Sequence, residues 1–366
     1  MVSYIFRRAL ASLVVIFVVV SGSFYMIRLM PGNAIDHVAA QLQLEGGHTP
    51  AQIQAKISLI YGVQSRAPLW QQYFRYVEHA FEGNFGRSTT NPSVTVIHVI
   101  ATALPWTIFV VSVALLLSFL LGIVLGTLMA ALRDTKFAKV TTLVVSILSA
   151  FPNYLVALIL LYLLADIHHF FPVGGAYSLS VPVGMTLPFI GSVIMHGILP
   201  ISAYVITAFG GWALTMKGSV VAQQSSEFAR SAESWGLGRR RILQSYIGRN
   251  SMLPMVTSLA LSVGLMFGGS IFIETFMSYP GIGYYLIKSV DSRDYTVMMG
   301  CFILICIAVV MSNFLVDLLY PVVDPRIAAP GGNRKLGTGP VLDRQHRSSP
   351  MKRSTPIAGS SGTTVE

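Results

Sequence analysis

Residues 101–132 read ATALPWTIFVVSVALLLSFLLGIVLGTLMAAL, an apolar run with no charged side chain in it. A helix needs about 20 such residues to cross the hydrocarbon core of a bilayer, so the run predicts a membrane-spanning helix. Comparable runs lie on either side, approximately Ala9 to Met30, Val140 to Ala165, Phe189 to Met216, Pro254 to Met277 and Thr296 to Tyr320. The expected fold class is therefore an all-α membrane protein with six transmembrane helices. Composition agrees: 53% of residues are hydrophobic and 11% charged, where soluble domains carry roughly 25% charged residues. The mean hydropathy is +0.65.

The links between the runs set the topology through the excess of lysine and arginine in cytoplasmic loops. Arg7 and Arg8 precede the first run; Arg133, Lys136 and Lys139 face Asp134 in the link after the second. Residues 166–188 hold no lysine or arginine and are expected outside. The link after the fourth run carries Lys217, Arg230, Arg239, Arg240, Arg241 and Arg249 against two glutamates and is expected in the cytoplasm. Both termini then lie on the cytoplasmic side. Ser21, Gly22 and Ser23 offer small residues of the kind found at signal cleavage sites, but the apolar run continues past them, which favours a retained helix.

Residues 1–95 thus comprise the first helix and an external segment, in which Thr49-Pro50 opens one short helix and Pro68-Leu69-Trp70 another, running through Tyr73, Tyr76, Val77 and Phe81. Residues 96–326 form a five-helix core with a cytoplasmic loop at 217–253. Residues 327–366 are rich in Gly, Pro, Ser and Thr with scattered basic residues, cannot bury a core, and are expected to be a disordered cytoplasmic tail.

Several functions find no support. The net charge of +10 sits in loops and tail rather than on an aromatic-studded face, so topology explains it and no nucleic-acid partner is indicated. Cys301 and Cys306 lie inside an apolar run at a spacing that turns them apart. No GxxxxGK[ST], HExxH or GxSxG occurs; Gly211 to Lys217 lacks the glycine before lysine. His168 and His169 lack further metal ligands nearby in sequence. The expectation is no catalytic residue, no cofactor, no metal and no enzyme activity of the chain's own. Gly122 with Gly126, and Gly264 with Gly268 and Gly269, read as helix-packing positions. Glu274, Asp317, Asp166 and His196 read as capping, snorkelling or interhelical groups, and clear signs of buried carboxylates or broken helices at mid-membrane, which an ion-driven transporter would show, are not expected.

Within the long cytoplasmic link, Ser225 to Gly248 reads SSEFARSAESWGLGRRRILQSYIG. Phe228, Ala232 and Trp235 recur at i, i+4 and i+7 with Ala229 beside them, which predicts a short amphipathic helix. A serine caps its start, Glu227 suits the positive end of its dipole, and Gly236 stops it in a left-handed conformation. By spacing alone the favoured reading is an interfacial connector lying on the lipid.

Glu227-Phe228-Ala229-Arg230-Ser231-Ala232-Glu233-Ser234-Trp235-Gly236-Leu237, followed by Arg249-Asn250-Ser251-Met252-Leu253-Pro254, resembles the EAA loop of binding-protein-dependent ABC importer permeases, in the variant of the dipeptide, oligopeptide and nickel permease family. Further similar motifs are Arg28-Leu29-Met30-Pro31-Gly32, Gly83-Asn84-Phe85-Gly86-Arg87-Ser88, Glu274-Thr275-Phe276 with Pro280-Gly281-Ile282-Gly283, Arg293-Asp294-Tyr295, and Asp317-Leu318-Leu319-Tyr320 with Asp324-Pro325-Arg326. The likeness covers about residues 3 to 327. Trp235 departs from the usual lysine before the glycine, and Ser234 from a common alanine.

The resemblance implies a type I importer permease: half of a translocation pathway for di- and oligopeptides, working by alternating access. It also implies that Glu227, Phe228, Ala229, Arg230, Ala232, Trp235 and Gly236 form a coupling helix seated in a cytoplasmic ATPase subunit, with Ala229 and Ala232 on the docking side and Phe228 and Trp235 as anchors. The implied partners are a second homologous permease, two ATPase subunits, an external substrate-binding protein and the bilayer. The same machinery serves nickel chelates or oligosaccharides; an ion-driven secondary transporter and a non-transporting scaffold are the readings of other classes.

Overall fold

The computed structural model describes residues 2–29, 39–40, 42–44, 49–61, 68–238 and 241–323. The motif at 30–32, Arg239 and Arg240, Asp324-Pro325-Arg326 and the tail at 327–366 lie outside the described residues. Residues Met1–Ala328 form one unit, so the first helix and external segment do not separate from the core.

The first helix, α1, spans Val2–Leu29. Two short helices follow, α2 (Pro50–Tyr61) and α3 (Leu69–Phe81). Thr49 opens α2 as the sequence predicts: its backbone N–H donates to Gln52 Oε1 at 2.9 Å, Gln52 N donates back to Thr49 Oγ1, and Pro50 fills the first helical position. The core then runs through α4 (Val96–Ala131), α5 (Lys136–Ala150), α6 (Asn153–Leu160, continued as a π-helical turn over Leu161–Ile167) and α7 (Leu187–Gln224). It ends with α8 (Glu227–Ser234), a π-helical stretch over Ile242–Gly248, α9 (Arg249–Phe276), α10 (Ile282–Asp291) and α11 (Tyr295–Val323).

Among the described residues five helices are long and apolar enough to cross a membrane, or six if α5 and α6 together make one crossing. That crossing is not the single helix expected over Val140 to Ala165. Its two halves meet at 94°. The cause is Pro152, whose ring bars the residue before it from helical geometry; Phe151 is extended, with ψ 133. The α7 helix runs beyond Met216 to Gln224 and α9 begins at Arg249, so the link between them covers residues 225–248.

Helices in lipid gain little from the hydrophobic effect on meeting one another, and close backbone packing does the work instead. A Cβ on Gly122 would overlap the Trp212 side chain, and one on Gly126 would overlap the Ala213 carbonyl and Met216. These two glycines therefore let α4 lie directly on α7. Gly264 plays the same part between α9 and α11, with a Cβ position 3.3 Å from Ser312 and Val309, whereas Gly268 faces nothing within 4 Å and has no packing role.

Polar nodes tie helix ends together. Glu274, 0% exposed near the end of α9, accepts from Gly283 N at 2.7 Å, while Thr107 Oγ1 of α4 accepts from Ile282 N at 2.8 Å. Together they satisfy the free N–H groups that begin α10, with an acidic group at the positive end of its dipole. A Cβ on Gly281 would run into the Glu274 carboxyl and Thr107, and one on Gly283 into the α9 backbone at Ile271. The Pro280-Gly281-Ile282-Gly283 motif is thus what close approach to Glu274 demands. Burial, then the Glu274 charge, pushes the nearby Tyr279 phenol well above its ordinary range, so it stays protonated.

A second node joins distant motifs. Asp294 caps α11 by accepting from Val297 N at 3.2 Å, and also accepts from Ser88 Oγ, Thr89 N and Thr90 Oγ1. Along α1, Ser21 Oγ and Tyr73 Oη lie 2.6 Å apart and Arg8 pairs with Asp317 at 3.2 Å. Ser23 is buried, whereas a Cβ on Gly22 would meet nothing within 4 Å.

Replacing Glu274 by Ala leaves the Gly283 N–H buried without an acceptor, which costs about 1–3 kcal/mol. Melting of the detergent-solubilised protein is expected to fall well below wild type for Glu274→Ala and much less for Glu274→Gln, which keeps an acceptor. Equal melting of Glu274→Ala and wild type contradicts the node.

Candidate functional site

The short helix α8 follows α7 after a two-residue break at Ser225-Ser226. The expected serine cap is absent. Ser226 Oγ donates to Gln223 O at 2.6 Å and Ser225 Oγ to Ala222 O at 2.9 Å, so both hydroxyls close the end of α7, and no side chain caps α8. Glu227 occupies its first turn.

Its end matches expectation closely. Gly236 adopts φ +75, its N–H donates to Glu233 O at 2.9 Å, and Leu237 N donates to Ala232 O at 3.3 Å. This is the paired hydrogen-bond pattern of a glycine-terminated helix, and it reverses the chain within two residues. No Cβ at 236 would meet a neighbour within 4 Å, so the backbone conformation rather than space calls for glycine.

The faces of α8 differ from the sequence reading in one respect. Ala229 and Ala232, each 1% exposed, do not face outward. They pack into the chain's own core beside Ala130, Met216, Val220, Ile242, Ile247 and Met255. Small side chains here serve close approach to the chain's own helices, whereas the resemblance placed them on the docking side. Periodicity identified the face but not its partner. Glu227, Phe228, Arg230, Trp235 and Gly236 are exposed, with Trp235 at 73%. A tryptophan left this open, about two turns from an exposed phenylalanine, is unusual for a finished surface.

Beside α8 lies a cavity of about 470 Å³ bordered by Arg133, Gln224, Arg230, Glu233 and Ile247. Arg133 Nη1 donates to Gln224 Oε1 at 3.2 Å, which links the turn after α4 to the end of α7. Sequence reading used Arg133 only for topology; no local signal marked it as a neighbour of α8. Ile242 and Ile247 of the π-helical stretch, both buried, close the return path. Among the described residues no group of three or more His, Cys, Asp and Glu is arranged to hold a metal. His168 stacks on Phe170 and His169 Nδ1 lies 3.0 Å from Ala165 O.

Residues 122–329 match the family described as binding-protein-dependent transport system inner membrane component. The chain is 30% identical over 332 residues to the dipeptide transport system permease protein DppB of Lactococcus lactis subsp. cremoris, covering 89% of this chain and 99% of that protein. It is 29% identical over 327 residues to the oligopeptide transport system permease protein OppB of Haemophilus influenzae, with the same coverage of each. The oligopeptide transport system permease protein AppB of Bacillus subtilis is 28% identical over 327 residues, again with 89% of this chain and 99% of that protein covered.

Hydrogen exchange tests the packing of α8. Ala232→Glu is expected to force a charge into the core and speed amide exchange over residues 227–237, while Ser231→Glu, on the exposed side, leaves exchange near wild type. Similar exchange in the two variants contradicts the inward placement of Ala232.

Proposed function

This chain belongs to the family of binding-protein-dependent transport system inner membrane components, and from that membership we propose that it is the permease subunit of an ATP-driven importer of di- and oligopeptides. The peptide cargo is supported by the dipeptide and oligopeptide permeases it resembles along nearly their whole length. Both termini and the α7–α9 link lie in the cytoplasm, supported by the lysine and arginine distribution. The chain hydrolyses nothing itself. Two cytoplasmic ATPase subunits supply the energy, a second homologous permease completes the pathway, and an external binding protein delivers cargo. Residues 1–95 and the external loops form the receiving surface, and residues 327–366 form a cytoplasmic tail.

In this mechanism α8 is the coupling helix. The observation that carries the assignment is its two-sided character: Ala229 and Ala232 are fixed to the body while Phe228 and Trp235 project from it. Phe228 and Trp235 seat in the ATPase cleft as aromatic anchors, with Glu227 and Arg230 as polar flanks and Gly236 turning the chain away from the interface. When the ATPases close, force on the anchors passes through the buried alanines and the α8–α7 junction into α7, a continuous helix of 38 residues. That helix, about 57 Å long at 1.5 Å per residue, carries the movement to the outer face. Alternation between inward-open and outward-open states follows from a rigid lever rather than from flexible loops.

An ion-driven mechanism has two features in its favour, the buried Glu274 and the 94° break between α5 and α6, both unexpected from sequence. Glu274 Oε2, however, is held by Gly283 N at the start of α10, although Oε1 has no hydrogen-bond partner among the described residues, and the break has a local cause in Pro152. The ATP-driven reading is the better supported.

Phe228→Asp combined with Trp235→Asp changes only exposed positions. In the reconstituted complex this variant is expected to insert normally, to lose most co-purifying ATPase, and to lower peptide uptake at least tenfold, on the order of two anchors at about 1–2 kcal/mol each. Uptake that persists in the variant, or in wild type without ATP, counts against the proposal. Uptake of a nickel chelate or oligosaccharide in place of peptide reassigns the cargo alone.

A further inference from the structure

A groove of about 450 Å³ runs between α4, α6, α7 and α9, within the range of sites that hold small molecules. Besides the buried Tyr204 and Trp212, its polar lining is Thr207 and Thr215 of α7, Ser258 and Ser262 of α9, and Asn153 at the start of α6; Gly211 of α7 lies between the two threonines. Spacings of four residues set each group along one helix face. Among the described residues no charged side chain lines the groove.

The four hydroxyls share a hydrogen-bonding state. Thr207 Oγ1 donates to Ala203 O and Tyr204 O at 3.1 Å, Thr215 Oγ1 to Gly211 O at 2.8 Å, Ser258 Oγ to Pro254 O at 3.0 Å and Ser262 Oγ to Ser258 O at 2.9 Å. A hydroxyl has one proton, and here each is directed at the helix's own backbone. What these side chains offer the groove is acceptor lone pairs, uncharged and regularly spaced. Such a wall complements N–H donors and gives no help to carboxylates or phosphates.

Gly210 and Gly211 divide two tasks. A Cβ on Gly210 would collide with Ser149 Oγ and the Val145 carbonyl, so this glycine lets α5 approach α7. A Cβ on Gly211 would meet nothing within 4 Å. Neither packing nor a left-handed backbone requires glycine there, and in a helix interior it is destabilising relative to alanine. It leaves room in the groove.

The geometry points to this groove as the chain's share of the cargo path, a charge-free acceptor track that holds an extended peptide through its backbone N–H groups and terminal ammonium and ignores its side chains. The inference rests on the reading of the chain as a peptide importer's permease. Asn153, at the break after Pro152, supplies the groove with an amide able to meet a peptide carbonyl.

The test is uptake of radiolabelled trialanine into proteoliposomes holding the complete complex with its ATPases and binding protein. Gly211→Phe is expected to assemble and to retain ATP hydrolysis stimulated by loaded binding protein while uptake falls at least about tenfold. Thr207→Val with Ser262→Ala keeps side-chain volume nearly unchanged and is expected to lower uptake about fivefold or more, as for loss of one or two hydrogen bonds. Wild-type uptake in both variants overturns the groove assignment and leaves the importer reading intact. Loss of assembly in Gly211→Phe, with normal uptake in the double variant, overturns it in favour of a surface that packs against the second permease. A wild-type complex that imports no peptide overturns the importer reading and this inference with it.

Discussion

Everything functional in this chain hangs from α7, and α7 is held by backbone contact with α4 at Gly122 and Gly126. Lipid tails are as apolar as the helices, so dispersion and shape must do what hydrophobic burial does in water. Two absent side chains let the helices touch where Trp212, Ala213 and Met216 would otherwise be displaced. Fixing α7 in this way places the groove residues along one of its faces and the start of α8 at its end. A larger residue at either glycine would move both together.

The polar nodes at Glu274 and Asp294 do a different job. Glu274, near the end of α9, binds the start of α10, and Asp294, at the start of α11, binds the distant segment 88–90. They tie α4, α9, α10 and α11 together at these ends. With α1 fastened by Ser21 and Arg8, α8 retains the exposed aromatic surface. The molecule is stiff where helices pack and open where a partner is proposed to press.

Long-period features were legible in the sequence. Apolar run length identified the spans, the glycine after Trp235 identified the end of α8, and Thr49-Pro50 identified the start of α2. Each depends on neighbours within a few residues. The Phe151-Pro152 break was equally local, yet the apolar run around it read as one helix because hydropathy does not register direction. Contacts between distant segments were not legible: nothing near Asp294 points to Ser88, and nothing near Glu274 says that its carboxylate serves Gly283 rather than an ion. The same limit explains Ala229 and Ala232. Their spacing defines a small, close-packing face, but whether that face meets the chain's own core or another protein depends on where α4, α7 and the π-helical return converge.

The central claim is that α8 meets an ATPase through the side carrying Trp235 and meets its own chain through the side carrying Ala229. Photocrosslinking from single positions in the assembled complex in membranes separates the two sides directly. A photoreactive residue at 235 is expected to yield an adduct with the ATPase subunit that changes in intensity with bound nucleotide, and one at 229 is expected to yield only crosslinks within the permease. Adducts from 235 confined to lipid, or ATPase adducts from 229 in place of 235, would contradict the account.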